Sequence, residues 1–301
     1  MQKWLNRIFQ IIWVVGLLLL VVRLADWGTR RSRTLPVPPQ PNGYEPLVLA
    51  AREIKSPPSE LAELSQEQAR QLAEENEPVL ERVRKSMAMD SGVTLDTKKG
   101  WQNQHNQDLK DFKRLAVAFA VEAKSHLQAG RTNEAAACQL EVVRLARRLS
   151  RGGILVDGVA GLALEAIGGA SVQSMLPHLD GVFCREAALT LETLQSTRTQ
   201  PATIIATEQA WSRRQFGLVD VIGGWLGREN HTKRFAEFSK KANEAAERTQ
   251  RLMLRLAARA YELEEKRPPA SAAELVPKYL KTTPLDLQTG KAVQEIPATV
   301  K

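Results

Sequence analysis

The stretch Gln107–Gln128 reads QDLKDFKRLAVAFAVEAKSHLQ. In it Leu109, Phe112, Leu115, Ala116, Phe119, Ala123 and Leu127 recur at three- and four-residue steps. That spacing gathers them on one face of a helix of 3.6 residues per turn. Gly130 follows, where a helix end needs a left-handed residue. A second helix from near Thr132 carries Ala136, Leu140, Val143, Ala146 and Leu149, and Arg151-Gly152-Gly153 ends it. The connection is so short that the two helices must run antiparallel. An all-α fold follows: a bundle or array of helical hairpins.

Toward the N-terminus the same logic finds more helices. Ser65 and Gln68 form a capping box. Asn76-Glu77-Pro78 predicts a restart, with Asn76 as cap and Pro78 in the first turn. A short helix is expected over Leu47–Lys55. Asp90–Asn106 lacks helical period and predicts a polar loop with a short strand at Val93–Leu95.

Toward the C-terminus, Ile154–Leu176 carries only Asp157 and Glu165 as charges and several glycines. It could cross a membrane, but a central helix buried on most sides, with glycines admitting close neighbours, is the expected reading. Asp180 and Pro201 each open a further helix. Phe216–Gly227 (FGLVDVIGGWLG) is apolar; Phe216–Trp225 could touch a membrane or a partner helix, but burial in the bundle is the expected reading. From His231 to Lys266, Phe235, Ala242, Thr249, Leu256 and Leu263 repeat every seven residues, with Phe238, Ala245 and Leu252 between them. Two such rows make a packing seam, expected to lie across the chain's own bundle. Arg267-Pro268-Pro269 stops that helix. Ser271 and Glu274 suggest a capping box for a short helix, and an irregular tail follows.

The N-terminal region has a different character. Ile8–Val22 reads IFQIIWVVGLLLLVV, without a charge until Arg23. Counted from Trp4 to Leu24, with Arg7 and Arg23 snorkelling, it matches the ~20 residues a bilayer needs. Trp4, Ile8, Trp13, Leu18, Val22 and Trp27 are the expected anchor residues, the tryptophans as interfacial aromatics. The run Arg23–Gly28 holds no small-residue pair suited to signal cleavage, so an uncleaved single-pass anchor is expected. The organisation is then an anchor with its flanks over 1–28, a proline-rich linker over 29–42, a helical body over 43–266, and a short helix with irregular tail over 267–301. Thr34–Pro41 (TLPVPPQP) favours a semi-rigid polyproline II spacer.

The net charge of +8 does not imply nucleic-acid binding. Residues 1–33 hold six Lys/Arg against one acid, and the other 268 residues hold 36 against 33. The excess base is mostly membrane flank, where anionic lipid can meet it. Positive-inside counting leans toward a cytoplasmic body. Cys138 and Cys184 are expected as buried free thiols, although an exported body would leave a disulfide open.

The C-terminal segment carries a resemblance. Tyr261-Glu262-Leu263-Glu264-Glu265-Lys266 is followed by Ser271, Ala273-Glu274-Leu275-Val276-Pro277, Tyr279-Leu280, and Pro284-Leu285-Asp286 through Thr289-Gly290-Lys291. This resembles the ending of membrane-anchored bacterial proteins of planctomycete type, and is similar to the ending of type II secretion pseudopilins. The match spans about forty residues. It departs at Leu287, where the family pattern has proline, and at Arg267-Pro268. The anchor also lacks the glycine followed by phenylalanine, and the glutamate, that a prepilin peptidase reads: Gly16 is followed by Leu17. The resemblance implies an exported body at the cytoplasmic membrane. Ala116–Ala146 looks loosely like one tetratricopeptide unit, but no 34-residue repeat follows.

No catalytic or cofactor motif stands out. The histidines at 105, 126, 178 and 231 share no ligand spacing with one another or with the cysteines, so neither metal nor cofactor is expected. Arg248, Arg251, Arg255 and Arg259 form one stripe that could meet anionic lipid or an acidic partner. The plainer expectation is a solvated face, with Glu244 paired to Arg248 and Glu247 to Arg251. The expected function is a membrane-anchored binding or scaffolding protein of the bacterial envelope, contacting a protein partner through helix faces. The alternatives are a pseudopilin-like secretion component, or an enzyme whose site is assembled from distant residues.

Overall fold

A computed structural model describes residues 2–31, 34–226, 228–286 and 289–293, with side chains placed except at 2–12, 31, 224–226 and 228. Ten α-helices and no strand occur among the described residues: α1 Gln2–Arg31, α2 Tyr44–Glu53, α3 Gln66–Ala88, α4 Trp101–Gln128, α5 Thr132–Ser150, α6 Leu155–Met175, α7 Gly181–Ser196, α8 Pro201–Phe216, α9 Leu218–Leu226 and α10 Arg228–Glu265. The all-α expectation holds.

The α4–α5 hairpin is the centre of the body. Phe112, Leu115 and Phe119 of α4 and Val142, Leu145 and Leu149 of α5 are fully buried. One core joins this hairpin to α2 and α3. A second joins the other face of α5 to α6, α7, α10 and the segment Ala272–Leu280. The heptad rows of α10 are used inside the chain: Phe238, Ala242, Ala245, Thr249, Leu252 and Leu256 are all buried.

α5 and α6 approach closely because α6 supplies glycines. A Cβ at Gly161 would lie 2.8 Å from the Ala146 carbonyl oxygen, and one at Gly168 would lie 2.7 Å from that of Gln139. The expected burial of α6 on most sides is only half met. Val156, Val159 and Ile167 face outward. With the turn after it, Leu155–His178 is long and apolar enough to cross a membrane by length and composition, yet 44% of its most apolar window is buried inside the body.

Several boundaries differ from the sequence reading, each for a tertiary reason. α4 begins at Trp101 rather than near Gln107. Gly100 turns the chain at φ 89°, and Trp101 stacks on His105 at 4.5 Å. The expected strand at Val93–Leu95 is absent; the Val93 amide instead donates to the Arg151 carbonyl at 2.9 Å. Asn76 is no cap, because α3 runs through Pro78 unbroken. Its buried side chain accepts from the Lys55 amide at 2.9 Å and donates to the Lys55 carbonyl at 3.0 Å. The expected capping box at the C-terminal turn does not form either: Ser271 makes no cap bond, and Glu274 accepts from the Tyr261 hydroxyl instead.

α1 is one helix of 30 residues. The side chains of Trp4 and Ile8 lie outside the described residues. Trp13, Leu18, Val22 and Trp27 are exposed, as are the apolar residues between Trp13 and Val22. The C-terminal end of α1 is docked on the body. Asp26 accepts from Arg30 Nε and from the Leu218 amide, both at 2.8 Å. Arg30 Nη1 donates to the carbonyls of Arg214 and Gln215 at 3.0 and 2.8 Å. Gly217 makes this joint possible, since a Cβ there would fall 1.9 Å from Asp26 Oδ1, and its φ is 59°. The expected burial of Phe216–Trp225 is not met where its side chains are described: Phe216, Val219, Val221 and Ile222 are exposed, beside α1. The Trp225 side chain lies outside the described residues.

Candidate functional site

α6 and α10 lie side by side and leave a groove between them. Small side chains of α6 make its floor, namely Ala166, Gly169 and Ala170, with Ala245 and Leu252 of α10 opposite. Its volume is about 590 Å³. A second hollow of about 430 Å³ continues it along the same helix pair, lined by Leu155, Val159, Leu162 and Phe238 with Arg234, Lys241 and Glu237, the last paired to Lys241 at 2.8 Å. Arg248 borders both.

Three members of the arginine stripe, Arg248, Arg251 and Arg255, line the main groove. Arg248 and Arg251 are exposed, and Arg255 is half-buried. The expected Glu244–Arg248 pair is not formed. Glu247 reaches Arg251 only at 4.0 Å. Arg255 Nε is buried without a hydrogen-bond partner. Arg259 leaves the group: it is half-buried, donates to the Pro177 carbonyl at 3.4 Å and lies 3.9 Å from Glu262. The solvated, ion-paired reading thus holds for Arg251, while Arg248 is exposed without the expected Glu244 pair and Arg255 and Arg259 are half-buried.

Beneath the groove sits a buried charged cluster. Glu165, on α6, accepts from both terminal nitrogens of Arg147 at 2.7 and 3.0 Å and from Arg198 Nη2 at 2.5 Å. Thr249 of α10 donates its hydroxyl to the same carboxylate. Two guanidinium groups thus face one carboxylate, and the excess positive charge lies directly under the arginine-lined wall. Burial, then repulsion from Arg147, pushes Arg198 down to about 10. The main groove has an apolar floor and an arginine-lined wall, which suits an anionic amphipathic partner; Glu165, the only carboxylate lining it among the described residues, is engaged by its arginines.

A second polar cluster runs from the surface into the body, with a buried pair at its inner end. His105 Nε2 lies 2.7 Å from Asp157 Oδ1, both residues buried, and Asp157 Oδ2 accepts from the Ile154 amide at 2.7 Å. Arg52 and Gln104 both donate to Asp108 Oδ1. These contacts tie α2, α4 and the start of α6 together. Sequence spacing shows none of the links between helices, because the partners lie on different elements.

Family models, curated proteins and solved structures were compared with this chain, and none matches it.

Proposed function

We propose that the chain is a single-pass membrane protein of the bacterial envelope whose helical body holds an acidic amphipathic helix of a partner protein in the α6–α10 groove. The observation that carries this reading is the set of three groove-lining arginines, of which Arg248 and Arg255 have no ion pair among the described residues. Beside them the outward face of α6 presents Val156, Val159, Ala163, Ile167 and Ala170 at helical steps. Apolar residues at that spacing accept the matching face of another helix, and charged flanks set its register.

Membrane attachment is supported by the exposed apolar length of α1 and the apolar face of α9 beside its docked end. The C-terminal resemblance favours a body on the extracytoplasmic side. A pseudopilin-like role is the second reading, favoured by the same segment.

The binding test uses the full chain in nanodiscs of neutral lipid, titrated with a fluorescent acidic amphipathic peptide. Replacing Arg248, Arg251 and Arg255 together by glutamine should weaken binding by at least about tenfold with unchanged melting. Equal affinity in the variant would sink the groove reading. Carbonate-washed membranes should retain the chain, and its release by carbonate would overturn the anchor.

A further inference from the structure

We propose that Glu122, His126 and Cys138 form a binding site for a zinc-class divalent cation in the α4–α5 hairpin. Each offers one donor atom, and the three atoms lie within 4.8 Å of one another. In a tetrahedral site with bonds of about 2.0–2.3 Å, donors are separated by roughly 3.3–3.8 Å. A small rotation of side chains closes that difference.

The backbone holds the donors in register. Glu122 and His126 are four residues apart on α4 and share one face of that helix. Cys138 comes from α5, the other arm of the hairpin, where Ala135 and Ala136 are fully buried beside it. A thiolate, an imidazole and a carboxylate together suit zinc and its neighbours better than calcium or magnesium, which want oxygen donors. The imidazole has a buried atom in need of a partner: His126 Nδ1 is buried and unpaired. Such an atom calls for an explanation.

The neighbours fit an outer shell. Arg84 Nη2 donates to Glu122 Oε2 at 2.5 Å and lies over the Phe119 ring. It fixes the carboxylate and leaves the second oxygen for an ion, as outer-shell partners do. Its charge also weakens the site. Binding requires the Cys138 thiol to lose its proton to solvent as the metal–sulfur bond forms. Three protein donors leave a fourth position for water. Glu122 and His126 line a cleft of about 300 Å³ between α3 and α4, through which ion and water can enter.

The test is a cobalt(II) titration of the full chain, reduced and solubilised in detergent. The expected result is a near-ultraviolet thiolate-to-cobalt band that saturates at one equivalent and is displaced by zinc. It should vanish in Cys138→Ser and persist in Cys184→Ser. Glu122→Gln, at the half-buried end of the site, should weaken cobalt binding by at least about tenfold. Absence of the band in the wild-type protein, or its survival in Cys138→Ser, would overturn the site.

Discussion

Tyr261 and Tyr279 exchange partners across the seam between α10 and the C-terminal segment. Their rings meet at 5.6 Å, tilted by 58°. Tyr261, on α10, donates its hydroxyl to Glu274 of the segment at 2.5 Å. Tyr279, on the segment, donates to Glu264 of α10 at 2.9 Å. Lys278 adds an ion pair to Glu264 at 2.5 Å. These contacts clamp the C-terminal segment onto the longest helix. Tyr279→Phe removes one of the two reciprocal bonds from a side chain that is 1% exposed, and should destabilise the protein by about 1–2 kcal/mol in urea unfolding.

The clamp also sets a response to acid. The Lys278 ammonium, then the Tyr279 hydroxyl, hold Glu264 below its ordinary value of 4.5. The Tyr261 hydroxyl, helped by Arg267, does the same for Glu274. The unfolded chain therefore takes up protons at these carboxyls before the folded chain does. Their contribution to stability is complete above about pH 4.5 and is lost as pH falls through the lower folded values. Melting temperatures followed from neutral pH down to about pH 3 should drop less steeply in the double variant Glu264→Gln/Glu274→Gln than in wild type. Parallel curves would show that the clamp does not titrate.

Glu165 should be the most sensitive charged position in the body. Arg147 and Arg198 are only 11% and 10% exposed, and both depend on it. Glu165→Ala leaves two buried guanidinium groups facing each other, and removing one partner of a buried pair costs about 3–5 kcal/mol. Glu165→Gln keeps the hydrogen-bond acceptor and should cost less. Calorimetric melting of the two variants checks the order; equal losses would mean the cluster is held by shape rather than charge.

Two adjacent glycines of α6 should respond in opposite directions. At Gly168 a Cβ would meet the Gln139 carbonyl at 2.7 Å and Val143 Cγ2 at 2.9 Å. At Gly169 the nearest atom is Leu252 Cδ2 at 3.9 Å. Gly168→Ala forces α5 and α6 apart and should destabilise by about 1–3 kcal/mol. Gly169→Ala gains helix propensity and should stabilise by up to about 1 kcal/mol. Denaturant midpoints of the pair measure this directly.

The helices were legible in the sequence wherever packing follows local periodicity. The α4–α5 hairpin is written in the three- and four-residue steps from Leu109 to Ala123 and in Gly130, whose φ is 74°, although Leu127, expected on the same face, is exposed. The α10 seam is written in its heptads. The arginine stripe was legible as a stripe but not as a groove wall, because the floor comes from Ala166, Gly169 and Ala170 on another helix. The same distance hides His105 from Asp157 and Glu122 from Cys138: ligand spacing in sequence detects donors on one element, not donors that a hairpin brings together. Asn76 misleads for a related reason. Its amide has a helix-capping chemistry, and the fold uses that chemistry on Lys55 instead. The apolar run at Phe216–Leu226 reads as core, since its composition says how apolar it is and not which side meets the body.

That run leads to the last expectation, which rests on the membrane reading. α9 follows the joint where Asp26 and Arg30 hold the end of α1, so the exposed side chains of Val219 and Ile222 emerge at the level where α1 leaves its apolar stretch. An amphipathic helix at that level lies in the interface with its apolar face among the acyl chains. Deleting residues 2–24 removes the span but keeps the Asp26–Leu218 contact, so the body should remain folded and helical by circular dichroism. The truncated protein should still sediment in part with anionic vesicles. Val219→Asp together with Ile222→Asp should abolish that residual binding without lowering the melting temperature, because neither side chain contributes to a core. If vesicle binding is the same with and without the two aspartates, α9 does not touch the bilayer, and its exposed face must be assigned to a protein partner.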